Sequence, residues 1–174
     1  MAATRKTNTQ QKSPVFENAV VEEKNNIPKS KKIDFDEKIT VRNIAPWAVG
    51  WNKVESLGEI NINPYGSVRI SRAEYIAGFE NGNKLLCGIE NGKHATVVTD
   101  DKATKDYLEV DDFVITKKTV ENIFAVEGIA DFEDLIIKTF ITRAEKLLLI
   151  KYIKECGIND YNRVRFCENY CGAR

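Results

Sequence analysis

The sequence predicts an α+β protein: a small antiparallel β domain with one inserted helix, followed by a C-terminal helical module ending in helix–short loop–helix. Three observations predict this class. Residues 39–70 contain short alternating apolar runs, which are typical of strands. Turn-forming residues separate those runs. From about Thr104 onward the apolar spacing becomes helical.

The first strands are expected between residues 39 and 70. Residues 39–44 alternate roughly as a strand does, and Pro46 interrupts the run. Residues 58–62 alternate again, and residues 67–70 form a third short strand. Residues 63–66 read Asn-Pro-Tyr-Gly, which predicts a turn because proline suits its second position and glycine its fourth.

One helix and one hairpin complete the predicted β domain. Ser71 and Glu74 have the spacing of a capping box, which predicts that a short helix begins there. Residues 84–89 and 94–99 flank an Asn-Gly pair at 91–92, and this pair favours a tight two-residue turn. We therefore expect these two segments to pair as strands, within a partly open barrel or a small sandwich.

The C-terminal module is predicted to hold four helices, at residues 116–126, 131–140, 143–156 and between 159 and 172. A second capping box, formed by Thr142 and Glu145, predicts the start of the third helix. Gly157 is a suitable residue to end it. The last two helices are joined by about three residues, and such a pair recurs in small modules that bind nucleic acid or proteins.

Charge is balanced in total but not along the chain. Residues 1–32 carry seven basic and three acidic side chains, residues 33–142 carry 12 and 19, and residues 143–174 carry seven and four. The excesses of +4, −7 and +3 sum to the formal net charge of zero. This balance excludes a histone-like polycation and argues against general affinity for a phosphate backbone as the whole function.

Three units are predicted, at residues 1–32, 33–112 and 113–174. The first is a basic tail rich in Thr, Asn, Gln and Lys, which is expected to be disordered unless a partner orders it. Within it, Ala19, Val20 and Val21 lie between two glutamates and form a candidate docking segment. No apolar run is long enough to span a membrane, and no apolar leader with a cleavage site opens the chain.

No catalytic residue and no metal or cofactor site is predicted. His94 is the only histidine, so nucleophilic catalysis would require it as the base, with Cys87 across the hairpin. Nothing in the sequence supplies an oxyanion hole for that pair. Cys156, Cys167 and Cys171 suggest zinc, but the Cys-x-x-Cys spacing is missing and buried cysteines behave as small apolar residues. We expect a protein that is not an enzyme and has free thiols.

Two tryptophans are the first candidates for a binding surface. Trp47 and Trp51 are four residues apart around Gly50. On a strand this spacing places both rings on one face. There they would either pack in the core, which we favour, or form an exposed platform for a partner.

Basic residues of the last two helices are the second candidates. Four cations share a broad arc of the helix over residues 143–156: Arg143, Lys146, Lys151 and Lys154. Lys151 and Lys154, with Arg163 and Arg165 of the last helix, lie near aromatic residues in the sequence. Basic side chains with aromatic neighbours suit nucleic acid or an acidic protein groove. The alternative is a basic surface that contacts only water.

Two segments carry a resemblance. The runs ITVRNIAPWAVGW at residues 39–51 and PYGSVRISRAE at residues 64–74 resemble small proteins of bacteriophages and mobile elements of gut bacteria, as does the leader rich in lysine and threonine. The resemblance covers residues 1–80. It implies a virion component or, in some cases, an anti-CRISPR inhibitor, and it assigns no individual functional residue.

The function expected first is that of a virion head or neck component whose tail becomes ordered on assembly. Such a chain would be found in the virion, and in the host cytoplasm before assembly. The alternatives are an inhibitor of a CRISPR nuclease–guide complex, with the acidic excess at 100–134 opposing a basic channel, and a DNA-binding accessory protein. The expected partners are capsid or neck proteins or that ribonucleoprotein, with nucleic acid and a second copy as alternatives and no membrane.

Overall fold

A computed structural model confirms the α+β class and describes residues 33–111 and 114–172. Within these residues the five strands are β1 (Lys38–Asn43), β2 (Val49–Asn52), β3 (Glu59–Ile62), β4 (Ser67–Ser71) and β5 (Val97–Thr99). The seven helices of the same residues are α1 (Arg72–Glu80), α2 (Lys84–Cys87), α3 (Lys102–Leu108), α4 (Lys117–Phe124), α5 (Ile129–Thr139), α6 (Arg143–Glu155) and α7 (Tyr161–Cys171).

The strands form two small antiparallel sheets. One has the order β4–β1–β5, with Ile39 of β1 opposite Ile70 of β4, and the other pairs β2 with β3. The predicted turn at 63–66 is confirmed, since the Gly66 amide donates to the Asn63 carbonyl at 2.9 Å. The two sheets share one apolar core, which contains Ile39, Val41, Val49, Ile60, Ile62, Ile70, Tyr75, Leu86 and Val97.

Helix α1 begins where the sequence predicts, but only half of its capping box forms. The Ser71 side chain accepts from the Glu74 amide at 3.3 Å. The Glu74 carboxylate turns away from the cap and accepts hydrogen bonds from the amides of Val54 and Glu55. Because Glu74 is buried, these bonds compensate its lost hydration and fix the loop between β2 and β3.

The predicted strand at residues 84–89 is wrong, because these residues begin with the short helix α2. The Asn83 side chain accepts from the Leu85 amide at 3.0 Å and so starts a helix that Gly88 ends. A tight turn does occur at residues 91–92, where Glu90 and Lys93 form an isolated bridge. Strand β5, which follows the turn, pairs with β1 instead of with residues 84–89.

The helical module forms a second apolar core. Its four predicted helices are confirmed as α4 to α7, and Gly172 ends α7 as expected. Phe132, Ile136, Phe140, Leu149 and Cys167 are completely buried there. Ile44 and Ala45, which follow β1, also belong to this core, so the end of β1 is anchored to the helices. No helix in the part of the chain that the structure describes is long and apolar enough to cross a membrane.

A buried arginine joins α1 to α3. The side chain of Arg72 is 3% exposed, and its guanidinium pairs with Asp101 at 3.2 Å and Glu37 at 2.7 Å and donates to Thr104 at 3.1 Å. Burial by itself would raise the pKa of Asp101, but hydrogen bonds from Thr104 and Arg72 outweigh it and hold that pKa below its ordinary value. The ionised carboxylate therefore stabilises the fold.

Replacement of Asp101 by asparagine tests this network. Since the pKa of Asp101 is lower in the folded chain than in the unfolded chain, its stabilisation is complete above the unfolded value and is lost as pH falls through the folded value. We expect Asp101→Asn to lower the free energy of unfolding by about 1–3 kcal/mol at neutral pH and to reduce the loss of stability on acidification. Urea unfolding over a pH series measures both effects.

Asp100→Asn is the matched control. Asp100 also pairs with an arginine, Arg42, at 3.0 Å, but its side chain is 67% exposed. An exposed pair contributes at most about 1 kcal/mol, so this variant should unfold nearly as the original chain does. Equal losses for the two variants would contradict the assigned role of Asp101.

Candidate functional site

Helix α6 presents its basic side to the surface because its other side is buried. Four apolar residues face the core of the helical module: Ala144, Leu148, Leu149 and Ile153. The start of the helix is fixed by Glu145, whose carboxylate accepts from the amides of Ile141 and Thr142 at 3.0 and 2.8 Å. The predicted capping box with Thr142 is thus confirmed.

Three cations of α6 lie over aromatic rings from other elements. Arg143 lies 5.8 Å from the ring of Trp47, Lys146 lies 4.1 Å from the ring of Tyr170, and Lys151 lies 4.3 Å from the ring of Tyr65. Lys154, on the same side of the helix, is exposed. We call this surface the aromatic–cationic face, and it consists of Trp47, Tyr65, Arg143, Lys146, Lys151, Lys154 and Tyr170.

Two of the three aromatic rings of this face are exposed, and the third, Tyr170, is half-buried. Trp47 is 39% exposed and Tyr65 is 36% exposed, although both are large apolar side chains. A cation–π contact at an exposed site contributes about 0.5–1 kcal/mol, enough to orient a ring without removing it from solvent. The face therefore offers flat apolar surface beside positive charge, which suits an anionic partner that also has apolar groups.

Exposed aliphatic side chains border the face. The Tyr170 hydroxyl donates to the carbonyl of Phe140 at 2.9 Å and lies 3.4 Å from the carbonyl of Ile137, which ties the face to the end of α5. There Ile137 is 47% exposed and Ile141 is 46% exposed. Exposed apolar side chains near a candidate surface can take part in the same contact, so we count the two isoleucines with it.

The two tryptophans lie in different environments, one at the surface and one against the core. Trp47 precedes β2, is partly exposed and lies beside Arg143. Trp51 lies within β2 and packs against the core of the two sheets. The expectation of one common strand face is wrong because β2 begins only at Val49, so the period-two rule does not reach Trp47.

The four basic residues predicted as partner contacts do not form one surface. Lys151 and Lys154 belong to the aromatic–cationic face, and Lys151 also pairs with Glu155 at 3.3 Å. Arg163 is used inside the fold: its guanidinium donates to the carbonyls of Phe124 and Glu127 at 2.6 and 3.1 Å. Arg165 is exposed on α7. The candidate docking segment Ala19, Val20 and Val21 lies outside the described residues, as does the rest of the predicted basic tail.

The thiols are held in their neutral form. Burial raises the pKa of Cys167 to about 12 and that of Cys171 to about 11, and it also raises the pKa of Cys156. Metal binding requires thiolates, so these environments disfavour the zinc alternative. Among the described residues, no group of three or more His, Cys, Asp or Glu is placed to hold a metal ion.

The two side chains considered for nucleophilic catalysis, Cys87 and His94, each contact a different group. His94 Nδ1 lies 2.8 Å from Glu145 Oε1, and the Cys87 thiol lies 2.9 Å from the carbonyl of Phe79. The structure therefore gives the two side chains different structural contacts.

Tyr65 is a residue of the face that the sequence did not single out. It lies in the predicted turn at 63–66, with a positive φ of 54°. Turn residues lie at the surface, so an aromatic residue inside a strong turn signal could have indicated an exposed ring. The contact with Lys151 could not be foreseen, because the two residues are far apart in the sequence.

The chain was compared with protein families, curated proteins and solved structures. No protein family, curated protein or solved structure matches the chain.

Replacement of Arg163 separates its structural role from that of a surface cation. Arg163→Met keeps an unbranched apolar side chain but removes the guanidinium, which lies 4.9 Å from the centre of the Phe132 ring and donates to the carbonyl at the end of α4. We expect it to lower the free energy of unfolding by about 1–3 kcal/mol in urea. Arg165→Met, the matched change on the exposed part of α7, should change it by less than about 0.5 kcal/mol. Equal stability of the two variants would exclude the structural role.

Proposed function

We propose that the chain is a non-enzymatic virion component of a bacteriophage or related mobile element, which contacts a neighbouring protein of the particle through the aromatic–cationic face. The observation that carries the proposal is the set of aromatic rings beside the cations of α6: Trp47 and Tyr65 are exposed, Tyr170 is half-buried, and each lies near one cation. The resemblance of residues 39–51 and 64–74 to phage proteins supports a role in the particle.

The chemistry of the face favours a protein over nucleic acid as the partner. Nucleic acid would pair with the cations and stack on the rings, but it offers little to the exposed aliphatic groups of Ile137 and Ile141. Glu155 partly neutralises Lys151, which weakens attraction to a continuous phosphate backbone. An acidic protein surface with apolar groups satisfies the cations, the rings and the aliphatic groups together.

Purified particles test this function. We expect mass spectrometry of particles from an infected culture to find the chain in a fixed number of copies per particle. The triple variant Lys146→Glu, Lys151→Glu, Lys154→Glu should be incorporated at least tenfold less, because reversed charge on the face repels an acidic neighbour. The measurement compares particles made with each form of the gene.

The matched control reverses three exposed lysines elsewhere: Lys38→Glu, Lys102→Glu, Lys118→Glu. Both triple variants have the same net charge, so only the position of the change differs between them. Normal incorporation of the control is expected. Absence of the original chain from particles would overturn the proposal and direct the next assays to CRISPR-nuclease inhibition and to DNA binding.

A further inference from the structure

We infer that the neighbouring protein is a second copy of this chain, whose acidic groove receives the aromatic–cationic face. This inference rests on the proposed function and names the partner of the face. The acidic groove is an open cleft of about 550 Å³ between the end of α1, α2 and the end of α3. It is lined by Phe79, Glu80, Cys87, Asn91, Tyr107, Leu108 and Glu109.

The groove combines apolar walls with negative charge. Tyr107 is 47% exposed, and Phe35 contacts its ring edge-on at a centroid distance of 5.5 Å. Glu80 and Glu109 are exposed at the same cleft, and no lysine or arginine is among the described residues that line it. The occupant must therefore supply positive charge together with apolar surface.

The aromatic–cationic face has the complementary chemistry. Lysine stems can pack on the apolar walls while their ammonium groups reach the carboxylates, which is how long cationic side chains cover apolar surface. Opposite charges on the two surfaces favour this orientation and disfavour the contact of one face with another face.

The geometry of such a contact determines the kind of assembly. The face and the groove share no residue, so each copy can use its face on one neighbour and its groove on the other. This is a heterologous contact, which repeats from copy to copy and produces a closed ring or an open filament.

Mixing two variants of the full chain tests the arrangement. The face variant is Lys146→Glu, Lys151→Glu, Lys154→Glu, and the groove variant is Glu80→Lys, Glu109→Lys. We expect the original chain to assemble at low salt and to dissociate at high salt, since exposed charges are screened. Each variant alone should be monomeric. Size-exclusion chromatography with light scattering measures the masses.

The mixture gives the decisive result. The groove variant keeps the cationic face and the face variant keeps the acidic groove, and the reversed face of one also matches the reversed groove of the other. Both contacts are therefore complementary in the mixture, so the two variants should assemble in a 1:1 ratio to the mass of the original assembly. A chain with both sets of changes should assemble again, because both charges are reversed. Assembly of the mixture also shows that each variant is folded. The lysine variant Lys38→Glu, Lys102→Glu, Lys118→Glu should assemble as the original does.

Other results would overturn the inference. An original chain that stays monomeric at low salt excludes the contact, as does a groove variant that assembles normally or a mixture of the two variants that stays monomeric. If incorporation into particles still depends on the face in that case, the proposed function stands with a different neighbour. If the chain assembles but is missing from particles, the proposed function fails and the self-association remains.

Discussion

The contact between Glu145 and His94 positions the helix on which the candidate surface depends. Glu145 is 2% exposed, and its carboxylate accepts hydrogen bonds from two backbone amides at the start of α6. The same carboxylate contacts the ring of His94, which belongs to the β part of the chain. A buried carboxylate without partners would be costly, so these contacts must form together. They place Arg143, two residues earlier in α6, where its guanidinium reaches Trp47.

Buried polar groups fix the loops around the two apolar cores in the same way. The Asn43 side chain donates to the carbonyls of Trp47 and Asn63 at 2.7 and 3.1 Å and accepts from the amide of Ala45 at 2.9 Å. These bonds hold the chain on both sides of β2 and β3, and so determine where Trp47 and Tyr65 emerge. Because these hydrogen bonds hold the backbone beside Trp47 and Tyr65, we expect both rings to keep their positions when no partner is bound. Groups that are already in place lose less entropy on binding.

Although the formal net charge is zero, the aromatic–cationic face and the acidic groove carry opposite charges. The cations of α6 lie on the helical module, whereas Glu80 and Glu109 lie at the edge of α1 and α3. Such a distribution favours ordered contact between neighbours over general attraction to nucleic acid, because a polyanion meets repulsion as well as attraction. It also makes association sensitive to salt, since Lys154, Glu80 and Glu109 are exposed and Lys146 and Lys151 are half-buried.

Sequence alone determined the features whose physical causes are local in the chain. Ser71, Thr142 and Asp160 begin helices because a side-chain oxygen accepts a nearby amide, and the turn at 63–66 follows from its own four residues. Tertiary structure decided what depends on distant partners. Strand β5 pairs with β1 and not with residues 84–89, and the guanidinium of Arg163 donates inside the fold to the carbonyl at the end of α4. The aromatic–cationic face also arises from folding, since its rings and cations come from four separate segments.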